Sequence, residues 1–147
     1  MSLEEMYREV ILDHYRNPRF RSDVERVDAS ADGSNPLCGD EVAISLTMNG
    51  DTVAAISVQG QGCSISQASG SMMAQKVVGK TEKEIAQISE TFKKMMGVIE
   101  TDEVVIDEER PGATLGDLEA LQGVRKFPVR IKCADLAWTT LEAALNR

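Results

Sequence analysis

At 147 residues, with 42% apolar and 4% aromatic content, the chain is long enough for one domain with an aliphatic core and too short to suggest two. A formal net charge of −8 disfavours general nucleic-acid binding, no apolar run approaches the ~18 residues of a membrane span, and nothing at the start resembles a signal peptide. A cytoplasmic protein is expected, in which three cysteines, an odd number, point to metal or thiol chemistry rather than disulfides.

The first predicted element is a helix. Ser2 can cap it, Glu5 stands at the capping-box position, and Leu3, Met6, Tyr7, Val10, Ile11 and His14 recur at helical spacing until Asn17-Pro18 stops it. His14, the only histidine, sits on the apolar side and is expected to be a core or hydrogen-bonded residue rather than a ligand. A weak strand is expected around 25–31. Over 42–48 apolar and polar residues alternate, with Val42, Ile44, Leu46 and Met48 on one face, and Asn49-Gly50-Asp51 supplies a hairpin turn into a less regular partner strand at 53–59. A helix follows over 64–78 through a stretch of small residues. Thr81 and Glu84 form a capping box that opens a helix carrying Ile85, Ile88, Phe92 and Met95 on one side. Then come an acidic loop at 100–109, the breaker Pro111-Gly112, a short helix at 115–124 and a last helix from about 133 to 145. Two or three antiparallel strands packed on helices make an α+β pattern.

All three cysteines sit where chemistry is possible. Cys38 lies in a turn with Gly39 and Asp40, Cys63 follows Gly60-Gln61-Gly62 and precedes a helix, and Cys133 is predicted to open the last helix. Helix N-termini carry partial positive charge that favours thiolate over thiol. Three thiolates and the Asp40 carboxylate would make the four ligands of a tetrahedral zinc site. Spacing alone leaves two readings open, since 25 and 70 residues separate successive cysteines and no CxxC pair is present. A metal site is one; cysteines as small buried hydrophobes, with Asp40 bonding its own turn, is the other. A local basic patch, Arg125, Lys126, Arg130 and Lys132, leads into Cys133.

Three segments and the opening helix go further. Asn-Pro-Leu-Cys-Gly-Asp at 35–40, Gly-Cys-Ser-Ile-Ser-Gln-Ala-Ser at 62–69 and Lys-Phe-Pro-Val-Arg-Ile-Lys-Cys-Ala-Asp-Leu-Ala-Trp at 126–138 resemble the IscU/NifU N-terminal family, and specifically its SufU branch. Tyr7, Ile11, Asp13, His14, Tyr15 and Asn17-Pro18 agree, so the resemblance covers essentially the whole chain. Lys132 stands where the scaffold branch has a histidine, and Phe127-Pro128-Val129-Arg130 matches poorly the segment that a chaperone reads in that branch. The stretch from about 97 to 118 looks like an insertion typical of SufU proteins, within a single domain spanning 1–147.

The resemblance implies a small three-stranded antiparallel sheet packed against several helices. It also implies a zinc-dependent sulfurtransferase that takes persulfide sulfur from a SufS-type cysteine desulfurase, stimulating it, for iron–sulfur cluster biogenesis with downstream assembly proteins. Cys38, Asp40, Cys63 and Cys133 would be the zinc ligands and Cys38 the sulfur acceptor. Zinc with three thiolates and one carboxylate leaves a net charge of about −2, which Arg130 and Lys132 are placed to offset. Two other functions use the same residues: a scaffold assembling a [2Fe–2S] cluster on the three cysteines, and a binding protein with purely structural zinc.

Overall fold

In the computed structural model, which describes residues 2–146, strands β1 (Ala29–Asn35), β2 (Asp40–Asn49) and β3 (Thr52–Gln61) pair antiparallel in chain order. The α+β expectation holds. Val42, Ile44, Leu46 and Met48 are all buried, as their period of two requires. The irregular pattern of β3 has a cause in the register: Thr47 pairs with Ala55 but Met48 with Val53, a bulge that brings Val53 and Ile56, three residues apart, both into the core. The connection out of the first helix runs along the free edge of β3, where the Phe20 carbonyl accepts the Val58 N–H at 2.8 Å.

The first strand differs from its expected place at 25–31 and continues to Asn35. Its residues 29–35 are small and polar and carry no strand signal of their own. Partners decide the outcome: every residue from Ala29 to Asn35 has a partner in β2, and the last helix lies against Gly33, where a Cβ would overlap Thr140 Oγ1 and sit 3.3 Å from Leu136 Cδ1.

Among the described residues, four α-helices and one 3-10 helix accompany the sheet. Helix α1 (Leu3–Arg16) is capped by Ser2, whose hydroxyl accepts the Glu5 N–H at 3.1 Å. Its apolar stripe is only partly covered, with His14 fully buried but Leu3 and Met6 exposed. His14 meets its expected role: Nδ1 lies 2.8 Å from Ser71 Oγ and Nε2 2.8 Å from Asp117 Oδ2, joining α1 to two neighbouring elements. Helix α2 (Ser64–Val77) is buried almost all round, which explains its small residues. Gly70 faces Val58 Cγ1, where a Cβ would lie at 3.0 Å, and Ser69 Oγ donates to the Ala134 carbonyl at 2.6 Å. Helix α3 (Glu82–Met96) has both halves of the predicted capping box, each at 3.1 Å, and ends on Gly97 in the left-handed region (φ +80°).

The predicted short helix is a 3-10 helix, Gly116–Lys126. The last helix, α4 (Pro128–Leu145), begins at Pro128 rather than after it, because proline at the first helical position loses no hydrogen bond and brings a ready φ. Helices α2 and α4 cover the sheet, while α1, α3 and the 3-10 helix close around them. Trp138 of α4 and Phe92 of α3 stack with ring centroids 5.1 Å apart, a contact contributing about 0.5–1.5 kcal/mol beyond its area. Met72, Met73, Met95 and Met96 are core filling, as expected.

Candidate metal centre

Four segments meet at one end of the sheet. Residues 36–39 form the turn between β1 and β2, and Gly39 takes φ +68° there, so that Cys38 projects from the turn half-exposed. The Cys38 N–H bonds the Asn35 carbonyl at 3.1 Å. Asp40 is the first residue of β2 and is 1% exposed, too buried for a simple turn aspartate. Cys63, in extended conformation (φ −69°, ψ 164°), is the residue from which α2 starts, as the sequence predicts.

Cys133 departs from expectation. Because α4 starts at Pro128, Cys133 lies in the second turn of that helix, completely buried, beyond the reach of the positive end of the helix dipole. Burial above all pushes its thiol well above the ordinary cysteine range, and hydrogen bonding with Cys38, Asp40 and Cys63 adds to the rise. Without a metal this sulfur stays protonated throughout the neutral range.

The donor atoms converge nonetheless. Cys38 Sγ and Cys133 Sγ are 3.2 Å apart, and one ligand atom each from Cys38, Asp40 and Cys133 lies within 4.8 Å of the other two. Cys63 stands on the Asp40 side, with Sγ 3.8 Å from Asp40 Oδ2 and its N–H bonding Asp40 Oδ1 at 2.8 Å. Around a tetrahedral zinc with Zn–S bonds of about 2.3 Å, neighbouring sulfurs would be about 3.8 Å apart. The Cys38–Cys133 pair is closer than that; Cys38, Asp40 and Cys133 form a group able to hold a metal ion, whereas Cys63, expected as a fourth ligand, stands beside this group and not within it.

Arg130 and Lys132 are exposed on the first turns of α4. Arg130 lines an apolar cleft of about 420 Å³ with Tyr7, Ile11, Ile65 and Phe127. Leu37, Phe127 and Val129 stand 78%, 60% and 61% exposed on the segments that carry Cys38 and Cys133, so the centre opens onto an apolar and basic surface. Sequence reasoning missed Asn35, which pairs with Asp40 across the turn and keeps Nδ2 buried without a hydrogen-bond partner among the described residues. No helix among the described residues is long and apolar enough to cross a membrane.

A model of the NifU-like N-terminal domain matches residues 6–134. The chain belongs to that family. Members similar over nearly its whole length include the zinc-dependent sulfurtransferase SufU of Bacillus subtilis, 44% identical over 99% of this chain and 93% of the relative. The iron–sulfur cluster assembly scaffold protein IscU of Streptococcus pyogenes is 36% identical over 99% of this chain and 86% of the relative. A crystal structure assigned as an iron–sulfur cluster assembly scaffold protein for the SUF system, from Fervidobacterium islandicum, superposes with a TM-score of 0.81 at 32% identity, covering 98% of this chain and 99% of that one. Fold and family therefore agree with the resemblance drawn from the motifs.

The raised Cys133 thiol has a measurable consequence for any member of the family built this way. If Cys133 is a thiolate ligand of zinc, binding expels its proton, and the affinity rises with pH across the neutral range. Calorimetric titration of metal-free protein with zinc, in two buffers of different ionisation enthalpy, should show net proton release. Uptake with no proton release and a flat pH dependence would mean that Cys133 is not a thiolate ligand.

Proposed function

We propose that this protein is a zinc-dependent sulfur acceptor, taking persulfide sulfur from a SufS-type cysteine desulfurase in the cytoplasm and handing it to iron–sulfur cluster assembly. Cys38, Asp40, Cys63 and Cys133 would hold the zinc. One observation carries the reading: the donor atoms of Cys38, Asp40 and Cys133 lie within 4.8 Å of one another while Cys38 sits on a half-exposed turn. Four protein ligands would close the coordination of zinc, and the half-exposed Cys38 is the one placed to leave it. The segment 97–118 would be an insertion in this single domain.

Bound zinc supplies a Lewis acid that holds the cysteines as thiolates at neutral pH. The chain supplies the acceptor and its surroundings. Docking of the desulfurase would free Cys38 from the metal, and its thiolate would then attack the outer sulfur of the desulfurase persulfide; a new S–S bond forms to Cys38, the old S–S bond breaks, and the desulfurase cysteine leaves as thiolate. The outer sulfur travels with its proton, so no outside oxidant or reductant is consumed. Asp40, buried and bonded to the Cys63 N–H, and Cys133, buried in α4, stay in place. Leu37, Phe127 and Val129 would shield the transferring sulfur from water once the desulfurase has docked.

The test is alanine release by a cysteine desulfurase given cysteine, with and without the zinc-loaded protein. Strong stimulation is expected. A second reading, a scaffold for a [2Fe–2S] cluster, draws support from the Streptococcus pyogenes relative, which is named an IscU scaffold. No stimulation of a competent desulfurase, together with a stable cluster after anaerobic reconstitution, would favour it over sulfur transfer. The basic residues offer a further check. Arg130→Ala should weaken either zinc retention or desulfurase stimulation, since it removes a cation near a centre of net negative charge. If both stay at wild-type values, Arg130 is an ordinary surface residue.

A further inference from the structure

The two oxygens of Asp40 face different groups. Oδ1 accepts the Cys63 backbone N–H at 2.8 Å, and Oδ2 lies 3.8 Å from the Cys63 thiol. A carboxylate as buried as Asp40 needs such a partner, and the N–H it takes sits at the positive end of α2. Gly62 makes the approach possible. Its φ is +146°, and a Cβ there would overlap Asp40 Oδ1 and come within 2.8 Å of Asp40 Cα and 3.0 Å of its Cγ. The pairing of β2 with β3 runs up to Glu41 opposite Gln61, so the chain leaves the sheet directly beside Asp40. The Cys38 turn is built differently: a Cβ added to Gly39 would meet nothing within 4 Å.

We infer that Gly62 and the Cys63 amide are positioning elements of the metal centre. They lock Asp40 and Cys63 into one preformed half of the site, with Oδ1 committed to the backbone and Oδ2 alone offered to the metal. The Cys38 turn lies outside this clamp and can shift without disturbing it. The inference rests on the metal-centre reading above, and its test separates the two.

Four variants, Gly62→Ala, Asp40→Asn, Asp40→Ala and, as control, Gly50→Ala, would be compared with the wild-type protein by two measurements. Gly50 has φ +64° and open space around it in the hairpin, so its variant carries backbone strain away from the site. The first measurement is hydrogen exchange of the Cys63 amide in metal-free, nitrogen-15-labelled protein. The second is cobalt(II) affinity against a competing chelator, with the thiolate charge-transfer band recorded. Gly62→Ala should expose the Cys63 amide to exchange and lower cobalt affinity by about 10–100-fold, the usual effect of losing a group that orients a ligand. Gly50→Ala should change neither. Asp40→Asn retains an amide oxygen for the Cys63 N–H and should keep it protected while losing affinity; Asp40→Ala should lose both. Wild-type cobalt affinity in Gly62→Ala, or equal Cys63 exchange in Asp40→Ala and wild type, would overturn the inference. If the wild-type protein takes up no metal at all, the metal-centre reading falls, and the amide exchange still decides whether Gly62 and Cys63 fix Asp40.

Discussion

Cys38→Ala should abolish stimulation of a cysteine desulfurase while leaving the fold intact. The side chain belongs to a half-exposed turn, with its Sγ 3.2 Å from Cys133 Sγ. Truncating it removes little buried surface, so metal-free stability should change by no more than about 0.5 kcal/mol. The chemical effect is of another size, because the sulfur proposed to accept the persulfide is gone. Cys133 is completely buried, out of reach of an incoming persulfide, so it cannot substitute. Cys63 is half-exposed too, but its N–H and Sγ both engage Asp40. With zinc saturating, alanine release should fall to the rate of the desulfurase alone, and mass spectrometry should detect an added sulfur atom on the wild-type protein only. A variant that stimulates like wild type would show that sulfur lands elsewhere or that stimulation needs no transfer.

Glu119→Ala should be the most damaging change outside the core. Glu119 is 1% exposed, and its carboxylate gathers three backbone donors: Oε1 accepts from Gly112 N–H at 3.0 Å, and Oε2 from Thr114 and Leu115 N–H at 3.0 and 2.9 Å. It thereby closes the turn that ends the 97–118 segment. Two residues earlier, Asp117 holds His14 and accepts a second hydrogen bond from Gln75 at 3.2 Å. Burial works against the charged form of Asp117, but the bonds from His14 and Gln75 outweigh it and hold the carboxyl below its usual range. Each buried N–H left without a partner costs roughly 1–3 kcal/mol, and two of the three lie where water can partly replace the carboxylate. We expect a net loss of about 3 kcal/mol, or roughly 6–12 °C in Tm, measured by denaturant and thermal unfolding. Glu119→Gln, which keeps one acceptor oxygen, should fall between. Hydrogen exchange should rise first in 97–118. Stability within 0.5 kcal/mol of wild type would mean that the segment is anchored by other contacts.

Much of this was visible in the chain. The alternation of Val42, Ile44, Leu46 and Met48, the Asn49-Gly50-Asp51 turn and the Thr81–Glu84 box are signals carried by neighbouring residues, and each appears in the fold as expected. The motifs around Cys38, Cys63 and Cys133 were local too, and they placed the chain in its family. The end of β1 and the start of α4 were misplaced for a common reason. Residues 29–35 become a strand because β2 pairs with them and α4 leans on Gly33; Pro128 reads as a breaker until one sees that it occupies the first helical position. The role of Glu119 was hidden because an acidic residue in a short predicted helix looks solvated, and only the returning loop supplies its three donors.

The sequence by itself determined the elements, the family and the donor types, because period, caps and motif spacing are short-range properties of the backbone. Tertiary structure alone decided which thiol is which. Cys38 lies on a turn, Cys63 is clamped through Asp40, and Cys133 is buried in the second turn of α4. Those differences come from burial and from contacts between segments 23 to 95 residues apart. Desolvation and donor geometry depend on what the rest of the chain packs around each sulfur.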